Sequence, residues 1–403
     1  MKSIILFYEH KAREYQLYEF LKEEMEKVSN KAFRIHILSY HWEKDRALEI
    51  LNHDHVDAIF VPFAYEAEAL KFYVRFYEKN HNIVIVNLHH EEITMPAMES
   101  VVLPKDDYSK NSIYHYVWTE NFKEKLISSG TNRELIYVTG NGRNDIAKNI
   151  SVSKEELAKE FDLNPQKKWL LYAENRKPDQ LMAALTAFGI KEAQEITDMF
   201  IRSYNATMKE FDSLQDSFFD SFELIYRLHP GSNPVPIENK RIKQIKKYSF
   251  YDWLKAIDCV IVYSSTVAFE ADMNNVPVIV HDPIDSNPSF FSEGVGFYYK
   301  IKTLQEIEPI VISNAFKHQQ GKNNYIYYMG LSDGKCIPRI AKTTIDLIGK
   351  KSLCEPLNIK LPFMYYTKRK IRPKLFRIYK KSGLLNMIKK PYFVYNNQDD
   401  IPY

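Results

Sequence analysis

The chain has 403 residues, 45% of them hydrophobic and 27% charged, with only 12 glycines against 28 tyrosines and 24 phenylalanines. That length exceeds one ordinary domain, and the composition is that of an ordinary globular protein without long flexible linkers. The net charge of +3 hides an asymmetry, because the stretch from Pro356 to Gln398 carries 11 Lys and Arg and no acidic residue; the remainder is net acidic, which argues against a nucleic-acid-binding core.

The first apolar stretch, "SIILFY" (3–8), reads as a strand; it is too short for a signal peptide or a bilayer span, and no later run reaches spanning length. The protein is therefore expected in the cytoplasm. A helix follows at 13–28, then strands at 33–38, 56–61, 82–88, 112–119 and 134–140, with helical segments between them. Strands spaced by helices predict right-handed crossovers and a doubly wound parallel sheet over residues 1–150. The charged stretch "SVSKEELAKEFDLNPQ" (151–166) makes a junction. Alternation resumes with strands at 167–175 and 221–227, a long helix at 190–211, strands at 257–263, 276–283 and 295–301, and a helical segment at 332–349. A second α/β domain over 151–350 and a basic tail over 351–403 complete the predicted layout. Two Rossmann-like halves facing one another would bind ligand at the carboxyl ends of their strands. Cys259, Cys336 and Cys354 are odd in number and have no CxxC spacing, so they read as free or buried thiols rather than a disulfide frame or a zinc site.

In "IDCVIVYSSTVAFEADMNNVPVIVHDP" (257–283), Ser264, Ser265 and Thr266 stand where a buried strand gives way to a helix. They serve equally as an N-cap or as small residues that leave helix N-terminal N–H groups open to a phosphate. In "LIYRLHPGSNP", Arg227 and His229 alternate at a strand end and so share a face, where either can donate to a phosphate oxygen; Pro230 and Gly231 also mark an ordinary turn. The two segments are expected to converge from neighbouring strands on one pocket.

Arg-x-His-Pro, then an apolar strand ending in Ser-Ser-Thr, Glu-Ala and a Pro-Val-Ile strand, resembles bacterial surface-polysaccharide transferases of the GT-B superfamily. These include sialic-acid and Kdo transferases and teichoic-acid glycerol-phosphate transferases; the chain is most similar to the group of surface carbohydrate (capsule and lipopolysaccharide) biosynthesis proteins. "FYEHKARE", "VWTENFKEKLISSG", "VTGNGRND", "KKWLLYAEN", "DWLKAIDCVIVYSST" and "SDGKCIPRI" extend the likeness over roughly residues 1–350. The resemblance implies an α/β, GT-B architecture: two Rossmann-like doubly wound parallel-sheet domains facing across a cleft, the acceptor on the N-terminal one and the nucleotide-sugar donor on the C-terminal one. It implies that Arg227 and His229 meet the donor phosphate, that Ser264, Ser265 and Thr266 cradle it, and that Glu270 reaches the ribose; Glu270 also suits the helix dipole by itself. Gly140, Asn141 and Arg143 in "VTGNGRND" would form a cleft corner or a plain turn.

Transfer needs a group to accept the acceptor's proton. Glu9 with His10, and His89, His90, Glu91 and Glu92 in "NLHHEE", lie at strand ends; Glu91, His90 and Glu9 are the candidates. With no convincing DxD pair and no distant ligand to match the short cluster, metal-independent transfer without a cofactor is expected. The basic, apolar-interleaved segment 364–395 suits either an anionic membrane surface or packing against the N-terminal domain, with Pro373 and Gly383 dividing it into two short helices. The expected partners are a nucleotide sugar, a glycan or lipid-linked glycan acceptor and the inner membrane face, and no nucleic acid. The expected function is transfer of a sugar, from a CMP-sugar such as Kdo or sialic acid in the first instance, to a surface polysaccharide. A CDP-alditol phosphate transferase, a UDP-sugar 2-epimerase-like enzyme and a non-catalytic scaffold are the alternatives; the epimerases resemble Ser-Gly-Gly where this chain has Ser264-Ser265-Thr266.

Overall fold

A computed structural model describes residues 1–146, 152–175, 178–229, 232, 234–322 and 324–384. The chain forms two compact units. One comprises Met1–Glu91, Leu103–Ile146 and the chain from Leu331 onward; the other comprises Glu92–Val102 and Ala147–Gly330. Each is built on a six-stranded, wholly parallel sheet.

In the first unit the strands are β1 (Lys2–Tyr8), β2 (Arg34–Ser39), β3 (His55–Val61), β4 (Val84–Leu88), β5 (Tyr114–Val117) and β6 (Ile136–Val138), ordered β2-β1-β3-β4-β5-β6. β1, β3 and β4 are buried on both faces, which is why they read as continuous apolar runs rather than alternating ones. The helix Lys11–Val28 turns Leu17, Tyr18, Leu21 and Met25 onto the sheet at helical spacing.

The second unit contains β7 (Lys168–Ala173), β8 (Phe222–Arg227), β9 (Lys243–Ile245), β10 (Cys259–Val262), β11 (Val278–His281) and β12 (Tyr299–Ile301), ordered β12-β11-β10-β7-β8-β9. That is the doubly wound nucleotide-fold order, and it reverses direction at β7. The short β9 carries no apolar run and gave no sequence signal, while the stretch expected as a strand from 295 is extended only over Tyr299–Ile301.

Two boundaries differ from the sequence reading. The helix Cys336–Leu347, assigned by chain order to the second domain, belongs to the first unit. Ile337 and Ile340 join its core beside Leu17 and Leu21, and the Tyr116 hydroxyl meets Thr344 Oγ1 at 3.1 Å. Conversely, residues 92–102 leave the first unit, and the Glu293 N–H donates to Thr94 O at 2.7 Å in the second.

The tail, through Lys381, packs back on the first unit. Leu357 is buried in that unit's core, the Arg75 N–H donates to the Tyr366 hydroxyl at 2.9 Å, Phe376 packs on Trp42, and Arg377 grips the buried Asp45 and donates to Trp42 O at 3.0 Å. Instead of two helices there is one, Tyr365–Lys381, running through Pro373. The bond that Pro373 cannot donate is offset by burial of its ring and of Phe376 and by the Arg377 anchor. Gly383 follows the end of the helix at φ +74°. On the opposite side of the helix Met364, Ile371, Leu375 and Ile378 are exposed in a line, with Lys368 and Lys374 on its two flanks. Residues 385–403 of the predicted tail lie outside the described residues. No helix among the described residues is long and apolar enough to cross a membrane.

Candidate functional site

In the second unit, β8 ends at Arg227, opposite Ala173 of β7 and Ile245 of β9. The backbone stays in register one residue further, so Leu228 is buried while Arg227 and His229 both reach the sheet's edge. Arg227 Nη2 donates to Tyr248 O at 3.2 Å. Tyr248 holds φ at +69°, a left-handed conformation an aromatic residue rarely adopts. Arg227 Nε is buried and has no hydrogen-bond partner among the described residues. Burial lowers the guanidinium's pKa, and the carboxylates of Glu270 and Asp252 oppose that shift. Arg227 and Glu270, from β8 and from the helix after β10, are thus brought within electrostatic reach of each other. Pro230 and Gly231 lie outside the described residues.

The two predicted anion segments do not stand on neighbouring strands. β7 runs between β8 and β10, a gap of about 10 Å at two strand spacings, and its end is filled by Glu174, which sequence reasoning passed over. The Glu174 carboxylate accepts the His229 N–H at 2.7 Å, and the Glu174 N–H donates to Arg227 O at 2.9 Å, so this residue sets the path of the His229 loop. Its only sequence signal is position: it is the first charged residue beyond a buried strand.

Ser264 is committed elsewhere, its Oγ accepting the Ser292 N–H at 2.9 Å and donating to Ser292 Oγ at 3.2 Å. Ser265 is half-buried and Thr266 exposed. The helix Val267–Met273 starts without a side-chain cap, and its Ala268 and Phe269 N–H groups are taken by Ser265 O and Thr266 O. The cradle is therefore narrower than the sequence suggested. Beside it a small cavity of about 30 Å³ is lined by Tyr172, Glu174, Asn175, Tyr204, Tyr226 and Tyr263 among others. Both amide atoms of Asn175 are buried without a partner among the described residues.

In the first unit the chain reverses direction at β1, and Glu9 follows that strand. The two proton-acceptor candidates become one group, with Glu9 Oε2 lying 3.8 Å from His90 Nε2 and Glu9 Oε1 3.8 Å from His10 Nε2. The third carboxylate is Glu14, buried one turn into the following helix, where it accepts the N–H of Glu9 at 2.5 Å and of His10 at 3.3 Å. Glu91 is exposed, and Glu92 belongs to the second unit. Glu9, Glu14 and His90 bring one ligand atom each within 4.8 Å of one another. Both backbone N–H groups share one Glu14 oxygen, Oε2.

The His90 ring stands edge-on to Phe63 at 4.7 Å, and Arg143 Nη2 donates to His90 O at 3.1 Å while its guanidinium lies over Trp118. Asn141 is buried, and its Oδ1 accepts the Arg143 N–H at 3.1 Å. Gly140 sits at φ +84° against Cys336 and Arg339. Arg143 thus supports the His90 loop, and Gly140 and Asn141 shape the turn that carries it.

His89 points into the core, where its Nε2 lies 3.1 Å from His115 Nδ1, and His115 Nε2 meets Ser109 O at 2.8 Å. Burial drives the His89 pKa well below 6.5, that of His115 down to about 4 and that of His41 to about 3. A histidine whose folded pKa is depressed contributes stability above its unfolded pKa and loses it as the pH falls through the window between the two values. The expected outcome is a melting temperature that falls from pH 6.5 towards 5, with an uptake of more than one proton on unfolding, and a shallower slope in His115→Gln. A flat profile over that range would count against the neutral buried histidines. Asp57 and Asp145, whose carboxyl pKa values burial raises, act in the opposite sense lower in the acid range.

No protein-family model and no curated protein matches the sequence. Among solved structures, the wall teichoic acid polymerase TagF is similar at a TM-score of 0.54 and 14% identity, over 86% of this chain and 88% of that one. TagF soaked with CDPG gives 0.51 and 12%, over 86% and 88%. A UDP-N-acetylglucosamine 2-epimerase gives 0.50 and 14%, over 87% of this chain and 97% of that one. The fold is of GT-B type.

Proposed function

We propose that the chain is a glycosyltransferase that moves a sugar from a nucleotide-activated donor, a CMP-sugar of the Kdo or sialic-acid kind in the first instance, to a surface-polysaccharide acceptor. The observation that carries this reading is Arg227, a largely buried guanidinium with an unspent donor at the edge of a doubly wound sheet. A departing nucleotide phosphate needs such a group, and electrostatic stabilisation of the leaving charge is usually the largest single contribution to such catalysis. His229 and Ser265 would add donors, and Glu270 would take the ribose. On the first unit, Glu9 with His90 would accept the acceptor hydroxyl's proton. The hydroxyl oxygen then bonds to the anomeric carbon, and the sugar–phosphate bond breaks with its electron pair left on the phosphate oxygen. No cofactor enters the reaction.

A second reading, transfer of an alditol phosphate from a CDP-alditol, is favoured by the likeness to TagF, a structure of which was soaked with CDPG. A thermal-shift screen against CMP, CDP, UDP and GDP tests both. A ligand at a hundredfold excess over its Kd adds about 2.7 kcal/mol to the native state, so one nucleotide should stand clear of the others. No rise with any of the four would sink the reading.

A lipid-linked acceptor is held at a membrane, and the exposed Ile371–Leu375–Ile378 line with its flanking lysines fits an anionic lipid surface. The full chain should sediment with anionic vesicles at low salt and stay in solution with zwitterionic ones; equal behaviour with both would exclude that partner.

A further inference from the structure

Among the described residues two groups of metal-ligating side chains come together, both within the first unit. In one, Asp145, Asp333 and Cys336, a guanidinium already supplies the positive charge. Arg339 Nη1 lies 2.7 Å from Asp333 Oδ2, and its Nη2 donates to Cys336 Sγ at 3.2 Å. In the other, Glu9, Glu14 and His90, one oxygen from each carboxylate and one imidazole nitrogen lie within 4.8 Å of one another.

The spacing inside this second group is that of ligands around an ion. Glu9 stands between two imidazoles, its Oε2 3.8 Å from His90 Nε2 and its Oε1 3.8 Å from His10 Nε2. Both separations exceed a hydrogen bond, which closes at about 2.7–3.2 Å. Two ligands each about 2.0–2.2 Å from a tetrahedral ion stand roughly 3.4 Å apart, so a small inward shift would complete the shell. Glu14 is only 3% exposed, and its Oε2 takes the N–H groups of Glu9 and His10. Those bonds fix the carboxylate, which can accept at its other oxygen at the same time. Two carboxylates this close repel each other, and a dication removes that repulsion. The imidazole is placed as firmly, with Phe63 edge-on to its ring at 4.7 Å and Arg143 Nη2 donating to His90 O at 3.1 Å. Ligands held in place by their own supports are what a metal site requires.

We propose that Glu9, Glu14 and His90 bind a divalent transition-metal ion of the zinc class, and that the bound ion takes the Glu9–His90 pair out of proton transfer. The donor set chooses the ion. Imidazole nitrogen combined with carboxylate oxygen suits zinc and its neighbours, whereas calcium and magnesium prefer a shell of oxygens alone. The inhibitory role rests on the glycosyl-transfer reading; the binding does not. The His90 Nε2 lone pair and the Glu9 carboxylate can hold either the ion or the acceptor's proton, so the two compete. Transfer needs no metal under that reading, and zinc therefore acts on it as a reversible block.

The test uses the full chain, stripped with a chelator and titrated calorimetrically with zinc chloride, with the melting temperature followed in parallel. Zinc should bind and raise the melting temperature, and magnesium at the same concentration should do neither. His90→Ala should weaken zinc binding by more than about a hundredfold and Glu14→Gln by about tenfold, since losing even a group that supports a metal ligand costs about 10–100-fold. Glu14→Gln keeps the shape of the side chain and an oxygen for the helix N–H groups, so it remains decisive if His90→Ala disturbs its loop. Cys336→Ser should bind zinc as the parent does. No zinc binding, an equal response to magnesium, binding undiminished in both His90→Ala and Glu14→Gln, or binding lost in Cys336→Ser overturns the site. Saturating zinc should halt transfer and a chelator restore it; transfer undiminished with the site filled overturns the inhibitory role. The titration needs no turnover, and the nucleotide response that depends on Arg227 should be the same with and without zinc, which separates failure here from failure of the transfer reading.

Discussion

Arg227→Ala abolishes the nucleotide-induced rise in melting temperature and slows transfer by about two to three orders of magnitude, the usual loss when one preorganised donor to developing charge is removed. The guanidinium is the positive group on which the sheet edge centres, with Glu270 and Asp252 acting on it. Without it an arriving phosphate meets those carboxylates with less positive charge beside them, so the site attracts an anion less. Folding and binding separate cleanly in this experiment. The unliganded variant loses some stability, because the buried Glu270 loses one favourable charge in its surroundings. The decisive readout is instead the difference with and without nucleotide. Arg227→Lys keeps the charge but not the fork, and should recover part of the binding and less of the rate. An undiminished nucleotide response in Arg227→Ala would end the donor-site assignment.

Gly140→Ala lowers the stability of the first unit by about 2–5 kcal/mol, from two additive causes. The left-handed backbone at φ +84° costs an alanine about 1–2 kcal/mol. A Cβ there would also stand 2.6 Å from Cys336 Sγ and 2.9 Å from Arg339 Nη2. Neither neighbour can retreat cheaply. Cys336 is fully buried, while Arg339 is held by Thr139 O at 2.9 Å and by Asp333 at 2.7 Å. Forcing such a contact adds about 1–3 kcal/mol. Gly349 supplies the control, since its φ is +83° with nothing within 4 Å of an added Cβ, so Gly349→Ala should show the backbone cost alone. Equal urea midpoints for the two variants would show that the close approach at Gly140 does not matter.

The candidate site was legible in the sequence wherever its chemistry sits at the end of a strong strand. Arg227, His229, Glu9 and His90 all follow buried apolar runs, and strand ends are where doubly wound folds carry ligands. The groupings were not legible. Glu14, five residues beyond Glu9, joins Glu9 and His90 only because the chain folds back as the helix begins, which nothing local announces. Ser264 looked available because a serine at a strand end is so often functional, and nothing local reveals that Ser292, 28 residues on, uses its hydroxyl.

The sequence by itself determined the fold class and all but one of the strands, because apolar runs and helical spacing are local consequences of backbone geometry. Tertiary structure alone decided that β7 separates the segments after β8 and β10, that residues 331–350 close the first unit rather than the second, and that Glu9, Glu14 and His90 come together. Those outcomes depend on strand order and on contacts between distant segments, where the deciding energy is packing of one element against another and leaves no period in the chain.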